Sequence, residues 1–411
     1  MLDLDERLDE LKERGRYRRL RMVSGPQGPR VVLDGRPVLL LCSGNSLGLA
    51  DHPRVREAAA DAAMRWGVGA GAARVASGTM TLHRRLEERL AGFSALRAGL
   101  LFGSGTMANL GVIPALARRG EVVLYDDLCH PSLVDGCRLA GADAVPYEHG
   151  NAEHLAWELR ESDGRAALIV TEGLFGMDGD VAPLTDIVNL ARRHDVRLLV
   201  DESHAIGALG PGGRGALAEA GLEGEADVVT GSLGLALGAY GGFAACDHVT
   251  ARYLVNSART LLHSTAPSPV AVAAAMAGLD LLEEQPRRIE KLRDNAAALR
   301  DGLAREGFDV TGSESHVVPL VVGEAQLAQR IVDAAVEEGV FCEAVLPPAV
   351  PEGTARLRLA VMAAHTRPEL REAASALARA AMRCGFRPGA GLPVAAVHER
   401  PFDGDALPRA A

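Results

Sequence analysis

Asp201 and His204, three residues apart in DESHAIG, put a carboxylate and an imidazole just after the apolar run Arg-Leu-Leu-Val. An ionised carboxylate there is costly unless a cation or a donor faces it. The pair therefore reads as a ligand-facing acid and base, or as a helix-capping aspartate with a packed histidine. His130, in DDLCHPS, is either a core histidine or a ring lying flat over a planar ligand, and its neighbour Cys129 is a nucleophile or a structural thiol. Gly105, Thr106 and Met107, in GSGTMAN, open a helix whose first amides could cradle a phosphate. Arg358, in ARLRLAV, is an edge-strand arginine or a clamp for a carboxylate. An Asp–His pair with helix-end amides is a minimal set for acyl transfer.

These residues share one placement. The runs AGLLFGSG, EVVLYDD, DAVPYE, AALIVTEG, VRLLVDES, ADVVTGS and GGFAACD are short, apolar and non-alternating, with helical stretches such as 105–118 and 183–194 between them. That pattern predicts a mostly parallel sheet covered on both faces. Ligands of open parallel sheets bind beyond the carboxyl ends of the strands, so the polar clusters at 103–109, 126–132, 171–180, 201–207 and 230–238 describe one site. The expected organisation is an N-terminal helix and arm (1–49), a large α/β domain (50–285), a smaller C-terminal α+β domain (286–385) and a loose tail (386–411).

A net charge of −10 argues against nucleic acid or an anionic membrane as partner. No apolar run approaches the roughly 20 residues that span a bilayer, and the charged N-terminal helix is no signal peptide, so a cytoplasmic location is expected. The six cysteines lack CxxC spacing, which suggests reduced thiols and no metal site. Lysine is nearly absent: only Lys12 and Lys291 occur.

From about 40 to 385 the chain resembles the α-oxoamine synthases, pyridoxal-phosphate (PLP) enzymes of the aspartate-aminotransferase fold (fold type I). The resemblance is carried by GNSLGLADHP, GAGAARVASGTMTLHRRLEERLA, LFGSGTMANLGVI, FGMDGDVAPL, DESHAIGALGPGGRG, STAPSP and PPAVPEGTARLRLAVMAAHT, in that order. It implies Gly105, Thr106 and Met107 near the cofactor phosphate and His130 stacked on the pyridine ring. Asp201 would face the pyridine nitrogen, and His204 would reach the ring hydroxyl. It also implies Ser232 near the phosphate, Thr265 reaching the neighbouring subunit of a homodimer, and Arg358 on the substrate carboxylate. Asn45, Ser77 and His83 stand as further substrate-binding positions.

The family pattern Thr-x-Ser/Gly-Lys-Ala-x-Gly reads here Ser232-Leu233-Gly234-Leu235-Ala236-Leu237-Gly238. Leu235 occupies the place of the Schiff-base lysine. Gly176, Ser203, Ile206 and Leu346 depart from the pattern as well. Four expectations follow. The first is an acyltransferase that works without covalent PLP, moving an acyl group from a CoA or carrier-protein thioester to an amine or hydroxyl, with His130 or His204 as base and Asp201 orienting His204. The second is an enzyme that holds PLP, or a PLP–amino-acid aldimine, noncovalently. The third is a noncatalytic subunit in a heterodimer with a lysine-bearing paralogue, and the fourth is an engineered Leu235.

Overall fold

In a computed structural model, residues 3–390 are described. All seven predicted runs become strands of one seven-stranded sheet. Its order is Ala98–Phe102, Gly242–Cys246, Val228–Ser232, Arg197–Asp201, Ala166–Glu172, Val122–Asp126 and Asp143–Tyr147. Val122–Asp126 and Gly242–Cys246 are buried at every position. Strands covered on both faces are expected to read as continuous apolar runs in this way.

Gly242–Cys246 runs antiparallel to both neighbours. Its connection from Val228–Ser232 is the loop from Leu233 to Gly241, shorter than the dozen or so residues a parallel crossover needs, so the chain turns back. The reversal also brings this loop against the phosphate-type turn. A Cβ on Gly242 would run into the backbone of Ser104 and Gly105, so only glycine lets the strand pass there.

The C-terminal portion carries an antiparallel sheet of Val317–Gly323, Ala355–Ala360 and Glu343–Val345. It packs with the helices Arg287–Arg305, Ala325–Glu337 and Arg367–Arg383. The N-terminal arm is not separate from it: Arg36–Leu40 pairs in parallel with Val340–Phe341. Phe386 is buried and Pro388–Ala390 form a 3-10 turn. The rest of the expected tail, from 391 on, lies outside the described residues.

Candidate active site

Asp201 ends its strand 5% exposed. Its carboxylate accepts hydrogen bonds from the Asn109 side-chain amide (2.7 Å) and the Ser203 backbone N–H (2.8 Å). The expected Asp201–His204 hydrogen bond is not made. Asp201 is linked instead to His130. Asn109 also donates to Ser132 Oγ (3.0 Å), and Ser132 Oγ lies 2.8 Å from His130 Nδ1. The Ser132 backbone N–H donates to the same nitrogen at 3.2 Å. With a backbone donor aimed at Nδ1, the neutral ring carries its proton on Nε2. His130 thus presents a donor, which corrects its expected role as base. Although the residue is exposed, loss of water around the ring lowers its pKa, aided by Arg358 and opposed by Asp201.

His204 is half-buried. Burial holds its pKa well below the ordinary histidine value, and the Arg358 charge adds to the effect, so it stays neutral. Arg358 is 8% exposed; its Nε donates to the Gly176 carbonyl, and an Nη lies 3.5 Å from Glu343. The neighbouring Arg356 is wholly buried in an ion pair with Asp178, a structural role.

The helix Gly105–Leu116 starts as predicted, with Ser104 as N-cap. Ser104 Oγ accepts the Met107 amide at 3.1 Å, so that amide is committed to the helix cap. The Gly105 and Thr106 amides precede the first helical turn's bonds. Ser232 and the Ser203 hydroxyl close around Gly105, within 3.4–3.6 Å of where its Cβ would stand.

Two further expectations change. His83 is fully buried, with Nδ1 accepting from the Met80 amide and Nε2 bound to the Pro267 carbonyl, so it fastens a helix start and has no nitrogen for substrate. Asn45 is equally committed, donating to the Gln27 carbonyl and accepting from the Ala50 amide. Cys129 is buried with its thiol pushed well up by burial first and by Asp126 next, so it is a structural thiol. Ser77 and Thr265 are exposed, Thr265 bridging to Ala73.

Leu235 is half-buried, and its Cδ2 packs so closely on Gly44 that a Cβ at position 44 would collide with it. Lys12 pairs with Asp9 on the exposed N-terminal helix, and Lys291 is exposed on the helix Arg287–Arg305.

Glu172 is the residue the sequence reading missed. It stands opposite Asp201 in the strand register and is 4% exposed. Burial first, then the Asp201 charge, raise its pKa well above the carboxylate range, and it accepts the His130 backbone N–H at 2.6 Å. The signal was an acid closing the strand next to that of Asp201. A cleft of about 650 Å³ lies away from this site, at the start of Ala98–Phe102 among Arg84, Arg97 and Arg252. Among the described residues no cluster of acids, histidines and cysteines is placed to hold a metal ion.

The sequence pattern of the family described as "Aminotransferase class I and II" matches residues 36–377. An 8-amino-7-oxononanoate synthase of Geobacter sulfurreducens is 46% identical over 382 residues, 92% of this chain and 98% of that one. The enzyme of the same name from Symbiobacterium thermophilum is 42% identical over 385 residues, 93% and 98% of the two chains. Among solved structures, a lysine-to-alanine variant of serine palmitoyltransferase from S. paucimobilis, with a bound PLP–myriocin aldimine, superposes with a TM-score of 0.88 at 31% identity, over 93% of this chain and 97% of that one. This chain belongs to the α-oxoamine synthase group of the PLP fold type I family.

Proposed function

We propose that the protein is an atypical acyltransferase of the α-oxoamine synthase type in which no lysine tethers a cofactor. It transfers an acyl group from a CoA or carrier-protein thioester to a small amine or hydroxyl acceptor. The observation that carries this reading is Leu235, which stands at the family's lysine position with its side chain packed on Gly44. Both lysines of the chain sit on exposed helices instead.

The remaining groups suit a direct transfer. His204 takes the proton from the attacking amine or hydroxyl. The new C–N or C–O bond forms as the thioester C–S bond breaks, and the departing thiolate recovers that proton. His130 donates from Nε2 to the acyl oxygen as charge builds on it, and Arg358 holds a carboxylate on the acceptor. The two synthases reported above are named for 8-amino-7-oxononanoate, an amino-oxo carboxylate, which accords with a carboxylate-bearing molecule in the cleft.

A second reading, noncovalent PLP binding, is favoured by Asp201. Both of its donors are neutral, which leaves its charge for a cation such as a protonated pyridine nitrogen. Gly105, Thr106, Ser203 and Ser232 would hold the phosphate and His130 would cover the ring. The residues fit PLP by contact and lack only the amine that would bind it covalently. Held there, PLP would supply an electron sink for a carbanion next to its imine. The structural relative that lacks a lysine yet holds a PLP adduct supports such contact-only binding. In either reading the proposed assembly is a homodimer, with the exposed Thr265 directed at the partner's site.

The test is thiol release from short- and medium-chain acyl-CoA thioesters, with amino acids as acceptors, by protein freed of PLP. Acceptor-dependent release should persist without PLP and fall about 10²-fold or more in His204→Ala. Release that appears only on adding PLP would replace the first reading with the second.

A further inference from the structure

We infer that Gly176 is a positioning residue: the missing side chain at this position is what lets the His204 ring lie back against the 176 peptide, beside Arg358. Three observations converge on it. A Cβ at position 176 would fall within 2.5 Å of His204 Cδ2, closer still to Nε2, and 3.0 Å from Cε1, so the ring occupies the space that any other residue would fill. The backbone supplies no competing reason for glycine, because Gly176 is not in the left-handed region that favours it. The peptide is also held in place from two sides. Its carbonyl accepts from Arg358 Nε and its N–H serves the Glu172 carboxyl, so the backbone cannot shift to relieve a clash.

The consequence is specific. A substitution at 176 would collide with the far end of a rotatable side chain and not with backbone, so the fold survives and the imidazole moves. Gly176 therefore decides whether His204 stands beside Arg358, where it would meet a carboxylate-bearing acceptor, or elsewhere in the cleft. This inference rests on packing alone and holds whether or not the proposed acyl transfer is correct.

The test uses the full-length protein with isotopically labelled histidine, comparing wild type, Gly176→Ala, His204→Ala and the double variant. In wild type the His204 ring signal should stay that of a neutral imidazole well below the ordinary histidine range, because the ring is withdrawn from water beside Arg358. In Gly176→Ala it should shift and titrate nearer the ordinary histidine value of about 6.5. The thermal penalty of Gly176→Ala should shrink in the His204→Ala background, since the clash has then been removed. If Gly176→Ala fails to fold, recovery of folding in the double variant supports the inference. An unmoved His204 signal in Gly176→Ala, or a penalty of the same size with and without the His204 ring, overturns it.

Discussion

Asn109 shows how much of this site depends on one neutral side chain. It is 1% exposed and its amide serves both Asp201 and Ser132. Removing it leaves a buried carboxylate short of a donor, which costs about 1–3 kcal/mol or more. Asn109→Ala should therefore lower stability by about that amount and loosen His130, and chemical denaturation with labelled-histidine spectra would measure both. An unchanged His130 signal would remove the Asn109–Ser132 link from the account. Buried salt bridges are more costly still to break from one side. Arg356→Met would take the guanidinium away from the buried Asp178 carboxylate and should destabilise by about 3–5 kcal/mol, read from the same denaturation curves. At this scale the sequence showed which residues end the strands of the large sheet, and hence Asp201 and His204, whereas Arg358, inside the strand Ala355–Ala360, was marked by the resemblance. It could not show that His83 and Asn45 spend their polar atoms on backbone groups far along the chain, because those partners meet only after folding.

The strands and helices were the most legible level. Each apolar run became a strand, the inner ones because burial on both faces demands that composition, and the helix at Gly105 starts where Ser104 can cap it. The direction of Gly242–Cys246 was missed although the shortness of the preceding loop contained it. The joining of the N-terminal arm to Val340–Phe341 left no trace in periodicity, since the pairing bridges three hundred residues. Buried histidines tie these elements together and set a pH dependence. His365 is fully buried, accepting the Met362 amide and bonded to the Leu40 carbonyl, and burial pushes its pKa down to about 4. Burial likewise lowers His316 to about 3. The unfolded chain takes up these protons below about 6.5 while the folded chain does not. Stability should thus fall as pH drops from about 6.5 toward 4, by up to about 1.4 kcal/mol per pH unit for each histidine. His149 has the opposite sign. Burial opposes its charge, but Asp126 and Asp180, each 2.8 Å away, raise it to about 11, so its contribution is complete below about 6.5 and fades as pH climbs through 11. Melting temperatures from pH 7 to 4.5 should decline, and less steeply in His316→Asn; a flat profile would contradict the buried neutral state of both rings.

For the whole molecule, the ordered motifs carried the resemblance to the family, and relatives and a fold spanning nearly the entire chain bear it out. Among the described residues no helix is long and apolar enough to cross a membrane. The isolated chain leaves Met64, Val68, Tyr240, Val249 and Tyr253 more than half exposed. Such surface suits burial against a second copy, and light scattering should give twice the chain mass. What the sequence could not supply was where two of the odd residues pack. Leu235 lies on Gly44, and the His204 ring lies on Gly176.

The most direct measurement is borohydride trapping with one equivalent of PLP, followed by peptide-mapped mass spectrometry, on wild type and Leu235→Lys. On the proposal that the cleft takes PLP by contact but has no amine to capture it, wild type should carry no stoichiometric pyridoxyl group while Leu235→Lys gains one on the 233–241 loop. A stoichiometric pyridoxyl-lysine at Lys12 or Lys291 in wild type, or a folded Leu235→Lys that never becomes labelled, would contradict it.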